Sequence, residues 1–155
     1  MRHNLSQNLD YHLQKTLFGR GGYLSLTQWN CFMTELKKSA KYNHALFIMD
    51  CLCMNQNFPP PDKVSFNIAI DVLGRLQRFD HMQTMLMHMI QCGFQPDVRT
   101  FTSMICAYFN ARQGVAVLQT LDMMRAHGVE PNGHTHKVLE TWELSAVGRI
   151  HAVTY

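Results

Sequence analysis

The sequence predicts an all-α fold built from stacked helical hairpins, and three observations carry that reading. Breaker residues recur 35 places apart: between "CGFQPDVRTFT" (92–102) and "HGVEPNGHTHK" (127–137), Gly93 returns as Gly128, Pro96 as Pro131, Asp97 as Asn132 and Thr100 as Thr135. Apolar residues keep the same interval, Phe66 matching Phe101, Ile70 Ile105, Leu86 Leu121 and Met89 Met124. No stretch alternates apolar and polar residues long enough to read as a strand. A period of this length marks an array whose units bury their apolar faces only against their neighbours.

The units follow in order. Residues 1–25 hold Leu5, Leu9, Leu13 and Leu17, one face of a helix that ends at "GRGG" with Gly21 in the closing place; this is a partial repeat or capping helix. Residues 26–62 form a first unit of 37 residues, with Trp29 and Asn30 where Phe66 and Asn67 stand later. Its surplus falls in the loop "FPPPD", and it lacks the closing Gly. Residues 63–97 and 98–132 align without a gap.

Within 98–132, Phe101, Met104, Ile105 and Tyr108 are spaced i, i+3, i+4, i+7, the apolar face of one helix. "NARQG" interrupts it, and Val117, Leu118, Leu121 and Met124 mark a second helix. Gly128 then supplies the left-handed residue that closes a helix. Pro131 cannot continue that helix, and Asn132 or Thr135 can cap the next through a side-chain oxygen. Residues 133–155 open another first helix with "GHTHKVLETWEL", a partial repeat. Three complete units are about the minimum for an array to stand alone.

Composition narrows the function classes. The chain has 155 residues, 46% hydrophobic and 16% charged, as in one soluble globular unit, and no apolar run nears the length of a membrane span. A net charge of +3 permits a polyanionic partner without demanding one. The five cysteines, at 31, 51, 53, 92 and 106, follow no disulfide framework, so free and mostly buried thiols in a reducing compartment are expected. The N-terminus lacks the apolar core of a secretory signal, and Asp10 argues against a transit peptide.

Nothing points to an enzyme. Cys51 and Cys53 lie two apart on a helix and face different ways, and His134 and His136 have no cysteine partners in order, so no metal site is expected. "GRGG" lacks the Lys-Ser/Thr of a phosphate loop, and no nucleophilic or paired-carboxylate pattern stands out. No cofactor and no small-molecule substrate is expected.

A hairpin opening on "SFN" or "TFT" and closing on "M…G-x-x-P-D/N" resembles the pentatricopeptide repeat family, over residues 26–144 and more weakly over 4–25. Tetratricopeptide repeats run 34 residues and lack that ending. The resemblance implies a right-handed α-solenoid of 35-residue repeats whose concave surface binds single-stranded RNA, one base per repeat. In that family the fifth and last residues of each repeat read the base. Here these are Asn30 with Asp62, Asn67 with Asp97, and Thr102 with Asn132, which the pairing rules translate as UUA.

The second residue lies against the base face. Val64 fits, and Arg99 departs from the apolar pattern but can stack, as can His134; Thr27 departs from it without that ability. Lys137 stands at the reading position of the last partial unit. Lys38, Lys41, Arg75, Arg78 and Arg112 recur at the turns ending first helices, where they would either track RNA phosphates or complement helix C-termini.

The resemblance further implies an organelle, the mitochondrion ahead of the plastid. It implies either an RNA adaptor for processing, stability or translation, or an architectural subunit of a ribonucleoprotein such as the mitochondrial ribosome. The second would work through protein partners and rRNA-backbone contacts. A purely protein-binding array is the third possibility.

Overall fold

In the computed structural model, residues 24–54, 56 and 58–152 are described, and they form seven helices and no strand. The helices are α1 (Leu26–Lys38), α2 (Tyr42–Met54), α3 (Lys63–Arg75), α4 (Phe79–Gln91), α5 (Val98–Asn110), α6 (Gly114–Ala126) and α7 (Gly133–Ala152). The helix expected on Leu5, Leu9, Leu13 and Leu17 lies outside the described residues.

Each of α1 to α6 has 13 residues, and the punctuation that sets this length is chemical. Asp62 caps α3 and Asp97 caps α5, each accepting the backbone N–H of the residue three places on. Asn132 does the same for α7, its Oδ1 accepting Thr135 N at 2.9 Å. The second helices close as expected, with Gly93 at φ +84° and Gly128 at φ +67°. The first helices close by the same hydrogen-bond pattern without glycine. Lys41 N reaches Leu36 O, Arg78 N reaches Leu73 O, and Gln113 N reaches Tyr108 O, which puts Ala40, Gln77 and Arg112 at φ of 55° to 59°. A side chain in that region costs on the order of 1 kcal/mol, which the closed turn and the packed helices on either side must offset.

Packing then makes two layers. α1, α3, α5 and α7 lie against one another in succession, while α2, α4 and α6 each pack on the first helix of their own hairpin. The expected stripe on α5 is the core: Phe101, Met104, Ile105 and Tyr108 are all buried. So are Phe66, Ile68 and Ile70 on α3, and Met82, Leu86 and Met89 on α4. α3 and α5 approach closely at Gly74, where an added Cβ would stand 2.6 Å from the Cβ of Ala107. The long loop folds back on its own unit, with Phe58 5.1 Å from the buried Trp29.

Of the residues that mark α6, Leu118 is 49% exposed while Val117 and Met124 are buried. Consecutive residues on a helix are turned by about 100°, so Leu118 can stand exposed beside the buried Val117. The five cysteines form no disulfide, and the expectation that most are buried needs correction, since none is fully buried. Cys31 and Cys92 are exposed and Cys51, Cys53 and Cys106 intermediate. Cys31 lies on the face of α1 that corresponds to an inter-helix contact in α3, where Ile68 stands, and Cys92 ends α4.

Candidate nucleic-acid interface

The fifth residue of each repeat projects from a first helix toward the N-terminus of the next first helix, and there it meets that helix's cap. Asn30 Nδ2 donates to Asp62 Oδ1 at 3.0 Å. Ser65 Oγ donates to Asn30 Oδ1 at 2.7 Å, and Ser65 N donates to Asp62 Oδ1 at 2.9 Å. The second pair repeats the figure: Asn67 Nδ2 lies 3.4 Å from Asp97 Oδ1, Thr100 Oγ1 lies 2.6 Å from Asn67 Oδ1, and Thr100 N lies 3.0 Å from Asp97 Oδ1.

The third pair is joined differently. Thr102 Oγ1 is 2.7 Å from Thr135 Oγ1, which in turn is 3.0 Å from Asn132 Oδ1, so Thr135 links Thr102 to Asn132. Thr102 also donates to Val98 O at 2.6 Å. Asn30, Asn67 and Thr102 are only 5% to 7% exposed. What each Asn has left is one N–H and one carbonyl lone pair, enough for a base edge to engage in both senses.

Two carboxylates gain ionisation from this arrangement. Burial pushes the Asp62 carboxyl upward, but hydrogen bonds from Ser65, Asn30 and Val64 outweigh it and hold it below the usual carboxylate range. Asp97 follows the same logic. Burial raises it, while the Thr100 N–H, the Lys63 ammonium and the Thr100 hydroxyl together lower it. Lys63 Nζ is 3.2 Å from Asp97 Oδ2.

Beside the third pair lies a groove of about 350 Å³, lined among others by Thr102, Asn132, Arg99, Arg75, Asp71 and His134. It thus gathers two residues expected to read a base, two able to stack and one expected to meet phosphate. Asp71 tempers its positive charge: Lys37 Nζ lies 2.7 Å from one carboxylate oxygen and Arg75 Nε 3.1 Å from the other. That triad also ties α1 to α3.

The remaining expected residues are dispersed. Val64 is 45% exposed at the start of α3, and Arg99 is exposed at the start of α5, each free of the core. Lys38 is paired with Glu35 at 2.7 Å. Lys41 and Arg112 are exposed at the turns. Arg78 lines a separate hollow of about 320 Å³ with Leu46, Asp50, His81, Met85 and His88 from α2 and α4. Arg75 and Arg78, either side of the left-handed Gln77, thus line different hollows.

Sequence reasoning missed four participants. Ser65 and Thr100 were visible only as helix-start residues, although Thr100 and Thr135 carry the 35-residue interval. Lys37 and Asp71 gave no signal, because nothing in a linear pattern says which charges meet across helices. Among the described residues, no three potential metal ligands cluster, and no helix is long and apolar enough to cross a membrane.

Comparison with known proteins places this geometry. The pentatricopeptide repeat domain model matches residues 84–139, and the PPR repeat model matches residues 64–94. A mitochondrial pentatricopeptide repeat-containing protein of Arabidopsis thaliana is 22% identical over 129 residues, covering 83% of this chain and 20% of that protein. Among solved structures, the pentatricopeptide repeat protein PPR10 from maize superimposes with a TM-score of 0.72 at 20% identity, over 93% of this chain and 20% of that one. PPR10 in complex with an 18-nt psaJ RNA element gives a TM-score of 0.56 at 21% identity, over 87% of this chain and 20% of that one. The chain therefore spans about a fifth of the length of the relatives it matches.

Proposed function

The chain belongs to the pentatricopeptide repeat family, and from that premise we propose that it binds single-stranded RNA along its layer of first helices. Asn30 with Asp62, Asn67 with Asp97 and Thr102 with Asn132 read three successive bases, UUA in the 5′ to 3′ direction. Val64 and Arg99 stack on base faces, and Arg75 contacts phosphate from the groove. The observation that carries this is the recurrence of one figure at three successive junctions: a fifth residue linked, directly or through a hydroxyl, to the cap of the next first helix. A single strand exposes the base edges such a figure needs, and a duplex hides them.

The RNA complex of PPR10, a fold relative, supports this reading. The mitochondrial relative supports an organelle, with a role in processing, stability or translation of organellar transcripts.

Equilibrium binding of short single-stranded RNAs with UUA or scrambled cores, at two salt concentrations, tests the proposal. UUA is expected to bind tighter, and Asn67→Ala and Thr102→Ala are each expected to relax the preference. Affinity should fall with salt, with a log–log slope of about −0.7 per phosphate neutralised. Salt-dependent binding that ignores sequence and both substitutions would overturn base reading. No binding at either salt would overturn the proposal entirely.

A further inference from the structure

We propose that the buried hydroxyl three residues after the cap, on Ser65 and Thr100, is a positioning element of the reading site. It fixes which way round the reading amide stands, and so where its remaining N–H and lone pair meet the base edge. The inference rests on the RNA reading above, but the residues lie outside the fifth and last positions that the family reading names.

The polarity of the network makes the case. Thr100 Oγ1 accepts from Asp97 N at 3.2 Å, which turns its own single proton toward the acceptors on its other side. The shorter of these contacts is Asn67 Oδ1 at 2.6 Å, against 3.1 Å for Asp97 Oδ1. Asn67 Nδ2 then faces the carboxylate. Rotating the amide by 180° would set Asn67 Oδ1 against Asp97 Oδ1, two acceptors with no proton between them. The backbone N–H of the cap thus orients the hydroxyl, and the hydroxyl orients the amide.

Ser65 imposes the same order on Asn30, accepting from Asp62 N at 3.2 Å and donating to Asn30 Oδ1 at 2.7 Å. Ser65 and Thr100 are 0% exposed, so they act on the base only through the side chain they hold.

Capping alone does not explain the hydroxyls. At the equivalent place in α1 stands Gln28, which completes the same box by accepting Ser25 N at 2.8 Å on its amide oxygen. Gln28 is exposed and engages its own cap. A longer side chain therefore caps this helix type adequately. Ser65, Thr100 and Thr135, by contrast, each also bond across to the reading side chain of the preceding repeat.

Uracil presents an acceptor, O4, where cytosine presents a donor, N4. A reading amide of fixed polarity separates the two, and one free to rotate serves both. The test compares Thr100→Val, which keeps shape and loses the hydroxyl, with Thr100→Ser, which restores it. RNAs with UUA and UCA cores change only the base opposite Asn67, and CUA changes the base opposite Asn30.

Thr100→Val is expected to reduce the UUA-over-UCA ratio by about tenfold, the factor of roughly one net hydrogen bond. It should leave the UUA-over-CUA ratio and the salt slope as in the wild type, and Thr100→Ser should recover the UUA-over-UCA ratio. A helical Thr100→Val protein with the wild-type ratios would overturn the proposal, and so would equal loss at both bases, which indicates structural support only. If Thr100→Val does not fold, Ser65→Ala carries the same test at Asn30, read by UUA over CUA. A wild type with no preference at any base overturns the underlying reading, and the proposal with it.

Discussion

The ammonium of Lys63 stands 3.2 Å from Oδ2 of Asp97, so the first residue of one repeat neutralises the last. One repeat earlier the same register holds Leu26, which has no charge to offer Asp62. Two reading pairs of identical composition, Asn with Asp, thus sit in different fields. Lys63→Met is expected to raise the Asp97 carboxyl toward its ordinary range and leave Asp62 where it is, measured by NMR titration of the side-chain carboxyl carbons. Both partners are over a third exposed, so stability should change by less than about 1 kcal/mol.

Lys37, Asp71 and Arg75 form a less exposed group. The side chains of Lys37 and Asp71 are 15% and 22% exposed and lie 2.7 Å apart. Asp71→Ala leaves the Lys37 ammonium half-enclosed without a counter-charge. It is expected to destabilise the protein by about 1–3 kcal/mol, less than for a fully buried pair. Lys37→Met, which keeps the aliphatic contact and leaves Asp71 paired with Arg75, should cost less. Thermal unfolding followed by circular dichroism ranks the two, and the reverse order would contradict this account.

Gly74 sets how closely α3 and α5 approach. Its replacement by Ala would bring a methyl within 2.6 Å of the Ala107 Cβ, a rigid neighbour that can yield only if the helices move. Ala favours the helix by about 1 kcal/mol over Gly, and overpacking costs about 1–3 kcal/mol, so net destabilisation is expected. Gly74→Ala combined with Ala107→Gly should recover part of the loss in thermal unfolding. A stabilised single variant would show that the contact is slack.

Acid should loosen the junctions between repeats. Asp62 and Asp97 both titrate below the ordinary carboxylate range in the folded protein. Their contribution to stability is therefore complete above the unfolded value of about 4 and lost as pH falls through the lower folded values. A melting temperature measured from pH 7 downward should hold until near pH 4 and drop below it. Asp62→Asn with Asp97→Asn should flatten that drop. An unchanged acid limb would assign it to other groups.

The recurrence of Gly, Pro and Asp/Asn made the hairpins legible, because each residue type answers a backbone need that recurs with the unit. The stripe Phe101, Met104, Ile105, Tyr108 was legible for the same reason: a first helix buried in the array must be apolar at helical spacing. The turns at Ala40, Gln77 and Arg112 were not, since packing holds them left-handed without a glycine to announce it. The exposure of Leu118 was not legible either, because an apolar residue marks a helix equally well whether or not a neighbour covers it. In the candidate site, the reading positions came from family resemblance. The hydroxyls of Ser65, Thr100 and Thr135 lay in plain sight as capping residues. Their second bond, across to the preceding repeat, exists only once the helices are stacked.

The central claim, that paired residues at each junction choose the base, is tested most directly by rewriting one pair. Thr102→Asn with Asn132→Asp gives the third junction the composition of the first two, and Asp is an equally good cap for α7. Equilibrium binding of the double variant to single-stranded RNAs with UUU and UUA cores, beside the wild type, is the measurement. The account predicts that preference moves from UUA in the wild type to UUU in the variant, with the salt slope unchanged. A variant that still favours UUA, or that loses all discrimination while the wild type keeps it, would contradict the account.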